Sequence, residues 1–149
     1  MSTTVDPAPV DPATVGVKEL GHLVLYVGDL DRSLAFYRDV LGLELRTDQP
    51  FDQYRWLSVG PAEQPDVELI LEAVGMGRPE KDAETMRGLL AKGSLSTVIF
   101  TTTDLDGTFE KIRASGAEVM QEPIDQPYGV RDCAFRDPSG NSIRFSSRR

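Results

Sequence analysis

The chain of 149 residues contains a single cysteine, Cys133, and a single histidine, His22. One cysteine rules out an internal disulfide, and no stretch resembles a signal peptide or a membrane span, so we predict a cytoplasmic location. The sequence also lacks a glycine-rich phosphate loop, a nucleophile elbow and the spacing of a zinc site. These absences leave an ordinary globular domain whose function rests on other residues.

Positive charge is scarce, with 16 Lys and Arg against 24 Asp and Glu, a net charge of −8. Nucleic acids and anionic membranes bind basic patches, so we expect neither as a partner. The acid is uneven: residues 19–75 hold 11 acidic and 4 basic side chains, net −7, whereas residues 96–149 hold 8 and 7, net −1. The negative charge of residues 19–75 either lies on a solvated surface or attracts a cationic ligand.

Large apolar side chains are almost absent from residues 1–18, which contain three prolines. Such a segment buries too little surface to offset its ordering entropy, so we predict a mobile N-terminal tail. The alternative is a tail that docks on a partner subunit. The remaining residues are enough for one domain with a sizeable core, or for two small fused modules.

One stretch of the chain occurs twice. Residues 21–45 are answered by residues 96–120 at an offset of 75, which changes to 74 after one gap. A duplicated module is the simplest explanation. We therefore predict a first module at residues 19–75, a connector with a helix at 76–95 and a second module at 96–149. Together they form one domain at about 19–147.

Each copy begins with a strand that has two different faces. Leu23, Leu25 and Val27 alternate with the other strand residues, and in each copy one face should pack on a helix. Asp29 or Asp31 caps the first helix and Gly42 ends it, while Asp104 or Asp106 and Gly116 do the same in the second copy. The residues left on the opposite faces are His22, Val24, Tyr26, Thr97, Ile99 and Thr101.

Three more strands follow each helix. In the first module we predict strands at residues 44–46, 54–59 and 67–72, with residues 49–54 as a loop broken by Pro50. A connector helix is predicted at residues 79–91. The second module has strands from residues 96 and 117, a proline-containing loop, and two final strands that meet at the turn of residues 137–141. The order is βαβββ twice.

These motifs resemble the vicinal oxygen chelate superfamily, which includes glyoxalase I, bleomycin-resistance proteins and extradiol dioxygenases. The likeness covers residues 20–145, and its later motifs are similar to a glyoxalase-like subgroup whose substrates are mostly unknown. It implies an α+β fold in which two βαβββ modules form a cupped mixed sheet, often completed by a homodimer. The residues that carry it are 22–27 with Asp29, 36–37, 40–43, 54–57, 68–72, 121–123 and 137–141.

Enzymes of this superfamily hold a divalent metal with four side chains from equivalent strands. The resemblance matches those positions to His22, Glu68, Thr97 and Arg144. A hydroxyl is a poor ligand, and a guanidinium repels a cation. We therefore expect no metal, with His22 and Glu68 as an incomplete set. Arg144 instead pairs with Glu68 or binds an anionic group of a ligand.

The polar candidates each have a second interpretation. His22 is either a general base or a structural histidine. Glu68 and Glu72 share a strand face, so both carboxylates should lie in the cup, unless one of them sits at its rim. As catalytic residues, His22 and Glu68 remain candidates only.

The aromatic candidates also have more than one interpretation. Trp56, Tyr54 and Tyr26 either stack on a planar ligand or, for Trp56, belong to the core. Tyr128 lies in a loop that could form a lip. Cys133 is predicted to be a small buried apolar residue.

We therefore predict a protein of the glyoxalase and bleomycin-resistance type that binds a small apolar or aromatic molecule without a metal. Its ligand-binding residues would be His22, Tyr26, Trp56, Glu68, Thr97 and Arg144. The alternative is an enzyme of the same superfamily, a lyase, isomerase or dioxygenase-like protein, that uses His22 or Glu68 with Arg144 or an atypical metal site.

Overall fold

The computed structural model describes residues 4–149, so the first three residues of the predicted tail lie outside the described residues. The rest of the tail is exposed. It contains one short helix that the sequence did not predict, α1 at Pro12–Val15, capped by Asp11 and ended by Gly16 at φ 80°. The mobility of the tail stays a prediction.

The first module forms a four-stranded sheet in the order β1-β4-β3-β2, in which β1 and β4 are parallel and the other pairs antiparallel. Its helix begins as α2 and continues as a π-helical segment. The elements are β1 His22–Val27, α2 Leu30–Leu34, the π segment Ala35–Val40, β2 Glu44–Phe51, β3 Tyr54–Gly60 and β4 Glu68–Ala73.

The second module repeats this arrangement with the order β5-β8-β7-β6 and a parallel β5–β8 pair. The α+β class and the paired βαβββ modules are confirmed, as two separate four-stranded sheets. The elements are the connector helix α3 Glu80–Ala91, β5 Thr97–Thr101, α4 Leu105–Ala114, β6 Val119–Asp125, β7 Val130–Arg136 and β8 Ser142–Arg148. Among residues 4–149 no helix is both long and apolar enough to cross a membrane.

The two duplicated helices begin with the same cap. The Asp29 carboxylate accepts the Arg32 backbone N–H at 2.8 Å, and the Asp104 carboxylate accepts the Gly107 N–H at 3.0 Å. Of the two possible caps in each copy, the first aspartate is therefore the one used. Gly42 follows the first helix at φ 76°, a conformation that favours glycine.

The predicted loop at residues 49–54 is wrong. Strand β2 continues through Pro50, which lies opposite Arg55, and ends at Phe51, and the hairpin turns at Asp52 with φ 52°. Proline is tolerated because β2 is the outermost strand of its sheet. An edge strand is paired on one side only, so a residue that lacks an N–H can be accommodated there. Strand β6, which contains Pro123, is an outermost strand too, and its pairing with β7 is irregular on both sides of Gln121.

A single apolar core joins the modules. The inner sheet faces and the helices contribute buried side chains to one cluster, in which Phe135 contacts both Phe109 and Phe145 at ring distances of 5.3 and 6.3 Å. Cys133 is buried, as predicted, and burial raises the pKa of its thiol to about 11. Its largest fully buried side chains are Tyr37, Leu25, Leu57, Leu71, Phe135 and Ile143.

The turn at residues 137–141 ties the two modules together. The buried Asp137 carboxylate accepts three backbone N–H bonds of its own turn at 2.9 Å through Oδ1. Through Oδ2 it accepts the Tyr37 hydroxyl at 2.7 Å and the Asn141 amide at 2.9 Å. The Asn141 amide also donates to the Tyr26 carbonyl, and Gly28 N–H donates to the Ser139 hydroxyl. The turn of the second module is thus hydrogen-bonded to β1 and the helix of the first.

A duplicated ion-pair cluster shows that the repeat extends to side-chain detail. In each module an arginine near the start of the third strand bridges two aspartates, one in the first turn of the helix and one in the second strand. The clusters are Arg55 with Asp31 and Asp48 at 2.6 and 2.8 Å, and Arg131 with Asp106 and Asp125 at 2.9 and 3.2 Å. Being exposed, these pairs add little stability.

We predict that Tyr37→Phe destabilises the protein by about 1–3 kcal/mol, because it leaves the buried Asp137 Oδ2 without one donor. Burial and the neighbouring carboxylate raise the pKa of the Tyr37 phenol far above its usual range, so it stays a donor throughout the working pH range. Urea unfolding monitored by circular dichroism measures the change. Tyr128→Phe, at an exposed side chain, is the control and should stay within about 0.5 kcal/mol. Equal stability of Tyr37→Phe and the parent would contradict the role of this bond.

Candidate functional site

The outer face of the first sheet, which points away from the core, carries three rows of side chains. His22 lies opposite Glu68, Val24 opposite Ile70, and Tyr26 opposite Glu72. On the next strand Ser58 lies opposite Ile70. The antiparallel register then places Trp56 in the row of Tyr26 and Glu72. This face therefore holds His22, Glu68, Tyr26 and Trp56; strand alternation predicted the first three, whereas it left the face of Trp56 open.

The imidazole and the carboxylate of this face form a direct pair. His22 Nε2 lies 2.7 Å from Glu68 Oε2, with the two side chains 52% and 25% exposed. The Ser58 hydroxyl donates to Glu68 Oε1 at 2.8 Å. The Ser58 hydrogen bond is the main reason that the pKa of Glu68 lies below its ordinary value; partial burial opposes this and His22 adds to it. Glu68 is therefore an ionised carboxylate at neutral pH, held by two donors.

The outer face of the second sheet carries a different cluster. Arg144 Nη2 donates to Gln121 Oε1 at 2.7 Å and to Asp132 Oδ2 at 3.2 Å. Asp132 Oδ1 accepts from the amides of Gln121 and Gln126 at 2.7 and 3.0 Å. Burial alone would raise the pKa of Asp132, but the bonds from Gln126, Gln121 and Arg144 outweigh it and hold the pKa below its usual value. The guanidinium is thus fixed against a buried carboxylate.

The predicted pair between Arg144 and Glu68 is wrong. The two side chains lie on different sheets, and each is paired inside its own module, Glu68 with His22 and Arg144 with Asp132. The register also shows that Thr97 lies opposite Ser142, whereas Arg144 lies opposite Ile99. In strand register the counterpart of Glu68 is therefore Ser142, a second hydroxyl.

Glu72 does not share its surroundings with Glu68. Its carboxylate lies 3.4 Å from the Arg78 guanidinium, which stands 4.5 Å from the centre of the Tyr26 ring. The two residues are four positions apart on β4, about 13 Å along the strand, and each carboxylate has its own partner, His22 for Glu68 and Arg78 for Glu72. The idea of one cation held between both is not supported.

The three remaining aromatic candidates, Trp56, Tyr54 and Tyr128, lie in different parts of the structure. Trp56 is 40% exposed on the outer face and is not a core residue. Tyr54, at the start of β3, lines a small cavity of about 270 Å³ beside Leu30 and Met76. Tyr128 is 71% exposed in the turn before β7. Of these three side chains, Trp56 is therefore the one that lies beside the polar residues of the outer face.

Several residues of the outer faces were missed from the sequence. Ser58 and Asp132 follow the strand alternation from Trp56 and Ala134, so the period-2 pattern could have found them. Gln121 lies next to an irregular register, and Arg78 lies outside any strand. No periodic signal points to either of these last two residues.

Two sizeable open spaces lie away from these polar clusters. A groove of about 720 Å³ runs between the first-module helix and the second module, lined largely by small residues and by the Arg136–Glu118 ion pair. A second space of about 700 Å³ lies between Leu41, Leu43 and strand β5. In a single chain the outer faces remain open surfaces, with Val24 46% and Ile99 62% exposed.

The donor set of the outer faces does not fit a divalent metal. His22 and Glu68 are donors, but they already bond to each other, and they lie on one sheet while Thr97 and Arg144 lie on the other. A hydroxyl and a fixed guanidinium cannot complete the shell. Within residues 4–149 no group of three or more His, Cys, Asp or Glu side chains is arranged to hold a metal ion.

The fold and these faces define the class of the protein: the chain belongs to the Glyoxalase/Bleomycin resistance protein/Dioxygenase superfamily, whose model matches residues 19–145. A probable lactoylglutathione lyase of Synechocystis is 32% identical over 127 residues, covering 83% of this chain and 91% of the relative. The crystal structure of UcmS2 is similar with a TM-score of 0.81 and 35% identity, covering 87% and 97% of the two chains.

A further solved structure is that of TnmS3, described as an antibiotic binding protein from Streptomyces sp. CB03234. It matches with a TM-score of 0.72 and 27% identity, over 90% of this chain and 98% of that one. The relatives thus include both a named enzyme and a named binding protein, so membership alone does not choose between the two.

We predict that Asp132→Asn lowers stability at pH 7 by about 1–3 kcal/mol, because it removes the charged acceptor of Arg144. The depressed pKa of Asp132 stabilises the fold above the ordinary value of 3.8, and this contribution is lost as the pH falls through the lower folded value. The difference between parent and variant should therefore shrink as the pH falls below about 3.8. Urea unfolding at pH 7 and pH 3 measures it, with Asp6→Asn in the exposed tail as control. A difference that does not change with pH would contradict the assignment.

Proposed function

We propose that this chain binds a small apolar or aromatic molecule on the outer faces of its two sheets, without a divalent metal. The observation that carries the proposal is the exposure of Trp56, Val24 and Ile99 beside polar side chains that are already fixed by hydrogen bonds. Large apolar side chains next to a few organised polar groups are typical of ligand surfaces.

Arg144 supplies the anchor for an anionic or carbonyl group of the ligand. Its Nη2 is engaged by Gln121 and Asp132, while among the described residues no partner is recorded for its Nε or Nη1. A guanidinium held at one edge and open at the other is ready to donate to a ligand. On β5, Ile99 lies directly opposite Arg144, and Thr97 with its hydroxyl lies two residues earlier in that strand.

The comparisons support ligand binding rather than catalysis as the preferred function. The printed description of TnmS3 names antibiotic binding, and TnmS3 shares the whole length of the domain with this chain. The mismatch of the donor set with a metal also favours binding over metal-assisted chemistry. Antibiotic-like aromatic compounds are therefore the first ligands to test.

A homodimer is part of the proposal. In one chain the two outer faces are uncovered, and a second copy would shield their apolar side chains from water. Placing the first sheet of one copy over the second sheet of the other would bring the His22–Glu68 pair towards Arg144. The site would then be enclosed by both copies.

The second candidate function is catalysis. The pair of His22 and Glu68 at 2.7 Å favours it, because a carboxylate that orients an imidazole is a common feature of general bases. Relatives named as lactoylglutathione lyases, among them one of Haemophilus influenzae at 33% identity, point in the same direction. An enzyme would return a changed compound, and His22→Ala would abolish turnover while leaving binding largely intact.

The test is titration calorimetry with naphthalene-1-sulfonate and the neutral 1-naphthalenemethanol. We expect both to bind and the sulfonate to bind more tightly, and we expect Arg144→Gln to weaken sulfonate binding about tenfold by removing a charge-assisted hydrogen bond. Chromatography of the recovered compound should show it unchanged. Arg113→Ala, an exposed arginine paired with Glu110 on α4, is the matched control and should change affinity less than twofold.

Absence of binding by either naphthalene compound would contradict the proposal. A sulfonate affinity that is the same in Arg144→Gln and the parent would remove Arg144 as the anchor. Conversion of the bound compound would select the enzyme instead.

A further inference from the structure

One row of the first outer face alternates aromatic, acidic and aromatic side chains. Tyr26 on β1 lies opposite Glu72 on β4, and extending the antiparallel β3–β4 register from Ser58 and Ile70 places Trp56 on β3 at the same level. Strands lie about 4.8 Å apart, so the two rings are roughly 10 Å apart with the carboxylate between them. Two π-faces on either side of a carboxylate form an environment that favours a cation.

The protein places a cation of its own in this row. The Arg78 guanidinium stands 4.5 Å from the centre of the Tyr26 ring. Its Nη1 lies 3.4 Å from Glu72 Oε2 and 3.1 Å from the Val74 carbonyl. Both side chains of the ion pair are largely buried, at 23% and 18% exposure. The guanidinium thus already contacts Tyr26 and Glu72, two of the groups that a bound cation would meet in this row.

Arg78 is attached to the row through a short turn. It lies between the end of β4 at Ala73 and the start of α3 at Glu80, in a segment that contains two glycines, Gly75 and Gly77. Gly77 has φ 69°, and a Cβ at that position would meet no atom within 4 Å. The 3.4 Å bond to Glu72 is long for a charged pair. The guanidinium is therefore held by one long charged bond, one carbonyl and one ring, on a turn with open space beside Gly77.

We propose that Tyr26, Glu72 and Trp56 form a subsite for the ammonium or amidinium group of an aromatic ligand, and that Arg78 fills this subsite until the ligand displaces it. The inference rests on the proposed function, since it names the chemical class bound at the same outer face. It also gives a use to the acidic surplus of residues 19–75, net −7, which attracts cations to this module. Arg78 then sets a threshold, because only a ligand that binds better than the tethered guanidinium enters.

The test compares two rings of almost equal shape, 1-methylquinolinium and quinoline, at pH 8, where the first is a cation and the second is neutral. Trp56 is the single tryptophan of the chain, so quenching of its fluorescence reports binding at this row directly. We expect the cation to bind at least fivefold more tightly than the neutral ring. Arg78→Ala should strengthen cation binding about tenfold, and Glu72→Gln should weaken it about tenfold.

Glu110→Gln is the matched control, because Glu110 is an exposed carboxylate paired with Arg113 on α4, away from this face. It should change the affinity for the cation less than twofold, and quinoline should be insensitive to Glu72→Gln. Thermal unfolding of each variant confirms that it is folded. Weaker cation binding by Arg78→Ala would show that Arg78 assists binding and would overturn the displacement.

Equal binding of the two rings by the parent and by Arg78→Ala would overturn the cation subsite while leaving the proposed function in place. If neither ring binds to the parent or to Arg78→Ala, the cation subsite is overturned, and if the naphthalene compounds fail to bind as well, the proposed function is overturned with it. If the naphthalene compounds bind but the protein does not prefer the cationic ring, the cation subsite fails and the proposed function stands.

Discussion

The buried carboxylate of Asp137 is the interaction on which the relative position of the two modules depends. It organises its own turn through three backbone N–H bonds and accepts the Tyr37 hydroxyl from the helix of the other module. The same turn also bonds to the carboxyl end of β1. The Asn141 amide donates to the Tyr26 carbonyl, and the Gly28 N–H, just after the strand, donates to the Ser139 hydroxyl. A buried charge is tolerated only when it is fully hydrogen-bonded, so this turn specifies one docking geometry.

With the modules fixed in this way, duplication has produced two sheets with the same scaffold and different outer faces. The ion-pair clusters around Arg55 and Arg131 join the same three elements in each module, although Arg55 makes two bonds to the strand aspartate and Arg131 makes two to the helix aspartate. The outer faces have diverged, to an acidic and aromatic surface in the first module and to Arg144 fixed on Asp132 in the second. The retained parts hold the fold, and the divergent parts are where we propose that a ligand binds.

The fold was predictable because its signals are local and occur twice. Strand alternation gave His22, Glu68 and Tyr26 on the outer face, and the aspartate caps and Gly42 gave the helix ends. Pro50 misled because its effect depends on whether a strand is at the edge of a sheet, which is a property of the assembled topology. The Arg144–Glu68 pair failed for the same kind of reason, since which side chains meet is decided by the packing of modules. Arg78 has no periodic signal, because its position depends on a turn.

The central claim is that the polar groups of the outer faces serve a ligand directly and hold no divalent metal. The most direct measurement is metal analysis of protein purified without chelator, followed by calorimetric titration with nickel, zinc, manganese and iron. Our account predicts substoichiometric metal and no saturable heat with any of the four ions. Tight binding of one metal per chain or per site would contradict it, and would require His22 and Glu68 to leave their mutual pair and find further donors in a second copy.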